Sequence, residues 1–137
     1  MSASISHHEA LIYIMVTMSA VDSQMDETEL LRIGDLVKFL PVFNGYNPDH
    51  LVTTAAECGD KLRGENGLQD VLNIVSEALP LHLYDTAYAL AVDVAAADMD
   101  IVQEELRFLQ MLRDKLDLDK LTIAAIEYTA RARYRIA

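Results

Sequence analysis

The chain has 137 residues, is 52% hydrophobic, and carries a net charge of -11 from 22 acidic and 11 basic side chains. That suffices for one domain with a proper core and is too apolar for disorder. The acidic balance argues against nucleic acid and anionic membrane surfaces as partners, because neutralising phosphate needs a basic face.

The first residues, Met-Ser-Ala-Ser-Ile-Ser-His-His-Glu, lack the basic segment and small-residue cleavage site of a secretory leader, so a cytoplasmic protein is expected. No apolar run is long enough to span a bilayer, so no membrane insertion is expected. Helical periodicity then runs almost throughout. Leu11, Ile14, Met15 and Met18 form one apolar stripe, and Leu30, Ile33, Leu36, Val37 and Leu40 form the next. Pro41 stops that helix and Asn44-Gly-Tyr-Asn47 makes a loop. Asn47-Pro48 pairs a capping residue with a first-position proline and opens a helix to about Leu62. After the Arg63-Gly-Glu-Asn-Gly67 break, Asn66-Gly-Leu-Gln69 reads as a capping box opening a helix that ends near Leu79.

Pro80 precedes a segment from about Leu81 to Ala97 that is apolar nearly all round, the mark of a central helix. A sixth helix is expected from about Val102 to Lys115. A seventh starts near Asp117 or Asp119 and runs to a basic end at Arg131, Arg133 and Arg135, which suits a helix C-terminus. With no alternation of period two, the reading is an all-α, single-domain bundle of about seven helices over residues 1–137.

The bundle contains an internal repeat at an offset of 76 residues. Asp22, Glu29 and Leu30 fall on Asp98, Glu105 and Leu106. Val16, Ala20, Met25, Ile33 and Leu36 fall on Val92, Ala96, Ile101, Leu109 and Leu112. Each unit, about 6–40 and 82–116, is an apolar helix, an acidic turn and a second apolar helix. A fold needs the apolar positions, whereas the retained pair of acids asks for its own explanation.

Helix capping is one such explanation. With Asp26 as N-cap, Glu29 takes the third helical position of a capping box. Asp22 then lies at the end of the preceding helix, against its negative dipole end, where a carboxylate invites a cation. Asp22 and Glu29 flank one tight turn and can converge on a hard divalent ion, with carbonyls and water completing its oxygen shell. The second turn repeats the spacing with Asp98 and Glu105, adds Asp100, and has Val102 where the first has Asp26. Capping does not account for Asp22 or for the spacing kept at Asp98 and Glu105. Neither turn is an EF-hand, since the sixth and twelfth loop positions are Glu27 and Ile33 in one, and Gln103 and Leu109 in the other.

The doubled pattern, Ala20-Val21-Asp22-Ser-Gln-Met25-Asp-Glu-Thr-Glu29 and Ala96-Ala97-Asp98-Met-Asp-Ile101-Val-Gln-Glu-Glu105, resembles the TerB-like domain. The likeness covers about Ser6 to Leu118. It implies an all-helical, internally duplicated, non-enzymatic protein of bacterial tellurite resistance and wider chemical-stress and phage-defence systems. It further implies protein partners in a stress-response complex and a divalent metal, calcium foremost, held by Asp22, Glu29, Asp98 and Glu105. The family has Gly directly after the Asp, where this chain has Ser23 and Met99. A positive-φ turn there is strained at Met99, which makes the first turn the better ligand site.

Other residues are read as structural: Cys58 as a small buried helix residue, the methionines as core, and His7-His8 as exposed terminal side chains. His50 and His82 have no nucleophile at catalytic spacing. Two rivals to the metal-binding module stand open: a structural adaptor whose acids only cap helices, and a carboxylate metallohydrolase. The second is disfavoured because no His joins the acids and no Glu-x-x-His pair occurs.

Overall fold

The computed structural model describes residues 4–21, 25–97 and 101–137. Among them are seven α-helices and no strand: α1 His7–Ala20, α2 Glu27–Phe39, α3 Leu51–Leu62, α4 Gly67–Ala78, α5 Tyr84–Ala97, α6 Gln103–Leu116 and α7 Lys120–Arg133. Of three short 3-10 turns, Pro41–Phe43 follows the end of α2, and Pro48–His50 and Leu81–Leu83 lead directly into α3 and α5.

The local chemistry explains most boundaries. Ser6 opens α1 with a reciprocal capping box: its Oγ accepts from the Glu9 N–H at 3.1 Å, and Glu9 Oε1 accepts from the Ser6 N–H at 2.9 Å. Pro41 closes α2 because it cannot extend an i→i−4 ladder. Asn47 Oδ1 accepts from the Asp49 N–H at 3.0 Å, and the chain from Pro48 makes one 3-10 turn before the α-helical part at Leu51. Asp119 caps α7 by accepting from the Thr122 N–H. The expected box at Asn66 does not form: its side chain makes no capping bond, and its backbone lies outside the extended region an N-cap uses. Proximity sets that junction instead. A Cβ on Gly67 would lie 2.1 Å from the Leu62 carbonyl oxygen, so only glycine lets α4 start so close to the end of α3.

Two helices make the centre. As expected, α5 is central, burying Ala87, Tyr88, Leu90, Ala91, Val92, Val94 and Ala95. Helix α1 goes further than the stripe anticipated for it: every residue from Ala10 to Ser19 is buried. It packs on α2, α3, α4 and α5, so no side of it faces water. Helix α6 packs on α4 and α5, and α7 on α5.

A polar clasp fastens α5, α6 and α7 together. Tyr88 Oη donates to Glu127 Oε2 at 2.5 Å, and Arg113 Nη1 donates to both, at 2.8 and 3.1 Å. Burial first, and then the bond to Glu127, push the Tyr88 hydroxyl up to about 12, so it stays protonated and keeps donating. Arg133 donates to Asp93 at 2.5 Å and makes a second tie between α7 and α5.

Candidate functional site

The starts of α2 and α6 share the offset of the acids, whereas the bounds of α1 and α5 are offset by 77. Helix α2 starts at Glu27 and α6 at Gln103, an offset of 76, and the two preceding helices each run 14 residues. Glu29 and Glu105 are therefore both third residues of the helix that follows an acidic turn. Asp22 and Asp98, with Ser23, Met99 and Asp100, lie outside the described residues.

In the first turn Asp26 is the N-cap, as expected; its Oδ1 accepts from the Glu29 N–H at 2.8 Å. In the second the N-cap is Val102, which has no side chain to accept with. Glu105 takes over: its Oε1 accepts from the Val102 N–H at 3.0 Å. Capping thus accounts for one oxygen of Glu105. The two acids also differ in setting. Glu29 is half-buried, whereas Glu105 is 4% exposed, a carboxylate enclosed at a helix N-terminus where the dipole favours its charge.

A buried hydroxyl lies close in sequence to the first turn. Ser19, in the last turn of α1 and three residues before Asp22, is 6% exposed, and its Oγ is buried with no hydrogen-bond partner among the described residues. A buried hydroxyl without a partner costs about 1–3 kcal/mol, so its presence asks for a reason. Sequence reading missed both this hydroxyl and the burial of Glu105. A serine near a helix end and one acid of a Glu-Glu pair carry no signal of burial. Among the described residues no group of three or more His, Cys, Asp or Glu side chains able to hold a metal occurs, and these residues exclude Asp22 and Asp98.

Elsewhere, His8 departs from expectation. It is half-buried, with its ring 6.0 Å from that of Phe43 and 5.7 Å from that of Tyr46. Burial, and secondarily the neighbouring His7, lower its pKa, so a neutral imidazole wedges the start of α1 against the Pro41–Tyr46 segment. Cys58 is a core residue, as expected. It is 0% exposed, its Sγ contacts Tyr13 O and Thr17 Oγ1 at 3.6 Å, and burial pushes the thiol up to about 11. The thiolate is the reactive form, so native protein should resist a thiol reagent near neutral pH and react only on denaturation. Rapid labelling of the native protein, followed by mass spectrometry, would contradict this placement.

No helix of the described residues is long and apolar enough to cross a membrane. No family model, curated protein or solved structure matches the chain.

Proposed function

We propose that this chain is a non-enzymatic, TerB-like module of a tellurite- and chemical-stress response, which binds a divalent cation at its acidic turns and protein partners beside them. The observation that carries this reading is the shared register: two helix starts 76 residues apart, each preceded by an Asp-containing turn and each with Glu as its third residue. The donor chemistry suits a hard ion, because carboxylates and a hydroxyl are oxygen ligands of the kind calcium and magnesium take. Asp22, Glu29 and the buried Ser19 hydroxyl would serve the first turn, and Asp98 and Glu105 the second. A bound cation would cross-link the end of one helix to the start of the next and neutralise acids crowded there, without activating water. The chain's own residues would orient the turn: Asp26 and Glu105 fix the helix starts through their backbone bonds.

The capping bonds of Asp26 and Glu105 favour a second reading, a metal-free structural adaptor whose acids only end helices. Calorimetric titration with calcium, magnesium and manganese separates the two. Under the metal reading the wild type releases or absorbs binding heat with at least one ion, and the Asp22→Ala/Asp98→Ala double variant loses it while keeping its helical circular dichroism. Absence of heat with all three ions on the wild type would leave the adaptor. Turnover of a phosphoester accompanying the binding would favour a metallohydrolase.

A further inference from the structure

Helix α7 carries apolar side chains on its outer side as well as on the side packed against the core. Its inward side carries Ile123, Ile126 and Ala130 together with the clasp residue Glu127. Its outer side should then be polar, but at heptad-like 4-3-4 spacing it carries Leu121, Ala125, Tyr128 and Ala132, the first two bordering the groove with α5. All four are exposed, Leu121 by 77% and Tyr128 by 63%. Leu81, which shares a surface groove with Thr122, and Ile136, beyond the end of α7, are exposed as well. Shallow grooves between α5 and α7, with Ala89, Leu121, Ala125 and Ile126 in their lining, form one edge of the strip. Single exposed apolar residues need no explanation, but a contiguous strip on one helix marks an interaction surface.

We propose that this strip is a homodimer interface in which α7 packs antiparallel on α7 of a second copy. Two complementarities select that occupant. The first is steric. Centred between Ala125 and Tyr128, an antiparallel pair sets Tyr128 opposite Ala125 and Leu121 opposite Ala132 of the other chain. Each large side chain thus meets a small one, which permits close approach of the helices. A parallel pair would set Tyr128 on Tyr128 and Leu121 on Leu121.

The second is electrostatic. One end of α7 carries Arg131, Arg133 and Arg135, with Arg133 already tied to Asp93. The other end is bordered by Asp85, Asp117 and Asp119, offset in part by Lys115 and Lys120. Antiparallel pairing about a two-fold brings each basic end to the acidic end of its partner, twice. A helix of 14 residues is about 21 Å long, so the pair and its groove rims form a modest interface that dissociates on dilution.

Sedimentation velocity over a concentration series, on the chain as it stands, tests this. Wild type should move towards twice the 15.3 kDa chain mass as concentration rises. Leu121→Glu/Tyr128→Glu should stay monomeric at every concentration, with an unchanged helical spectrum and thermal melt, since both side chains are solvent-exposed. Arg131→Glu/Arg135→Glu should weaken association at least tenfold, and high salt should weaken that of the wild type. A wild type that is monomeric at the highest concentration overturns the proposal. So does a dimer that survives the Leu121→Glu/Tyr128→Glu change.

Discussion

Gly67→Ala should destabilise the protein by about 3 kcal/mol or more, because the new methyl meets backbone and not a side chain that can turn aside. The Leu62 carbonyl oxygen lies 2.1 Å from the ideal Cβ position, and the carbonyl carbon 2.6 Å. Relief requires moving the end of α3 away from the start of α4, and both helices bury residues against α1, including Ala55, Cys58, Val71 and Val75. A loss of that size lowers the melting temperature by on the order of 10 °C in a domain this long. Gly59→Ala provides the internal control. Gly59 lies inside α3, and its nearest foreign atom is the flexible Arg63 guanidinium at 3.8 Å. Alanine there should stabilise by about 0.5–1 kcal/mol through the reduced entropy of the unfolded chain. Equal melting temperatures for the two variants would contradict the close-approach account of the α3–α4 junction.

Ile14→Ala should cost about 4 kcal/mol, within the range for deleting a large aliphatic side chain from a core that cannot collapse around the gap. Ile14 is 0% exposed at the middle of the helix that packs on four others, so the cavity has walls on every side. Chemical denaturation reads the loss directly, as a lower midpoint at unchanged slope. The matching change on the outside of α7, Leu121→Ala, should stay within about 0.5 kcal/mol when measured on the monomer, because that side chain is already in water. Similar losses at the two positions would mean that α1 is not the structural centre.

The helical order was legible because the punctuation is strong. Pro41, Pro48, Pro80 and the Gly64–Gly67 break each fall where a helix ends or begins, and Asp26 and Asp119 cap as their positions suggested. The centrality of α5 followed from its lack of a polar face. The full burial of α1 was not legible as such, since a stripe of Leu11, Ile14, Met15 and Met18 describes one contact surface, whereas Thr17 and Ser19 are buried by partners on the other sides. Local pattern cannot count neighbours. Asn66 illustrates the opposite failure: its capping signature is sound, but the approach of Gly67 to Leu62 fixes the backbone first.

At the acidic turns, spacing correctly placed Glu29 and Glu105 at equivalent helix positions. It gave no hint that one would be half-buried and the other enclosed, because enclosure depends on packing around the start of α6. The charge at the end of α7 was visible in the sequence. That this helix leaves Leu121 and Tyr128 exposed became visible only once its inward residues were known.

The central claim is that the two acidic turns bind a divalent cation. A backbone-amide NMR titration of the full chain with calcium tests it most directly, because it reports on each turn separately. The account predicts saturable shifts concentrated at residues 19–29, with a second set at 95–105, and loss of the second set in Glu105→Gln. That variant retains an oxygen able to accept from the Val102 N–H and loses only the charge. Amides in both turns that stay unmoved to millimolar calcium, and equally to magnesium, would contradict the claim and leave the carboxylates as helix caps.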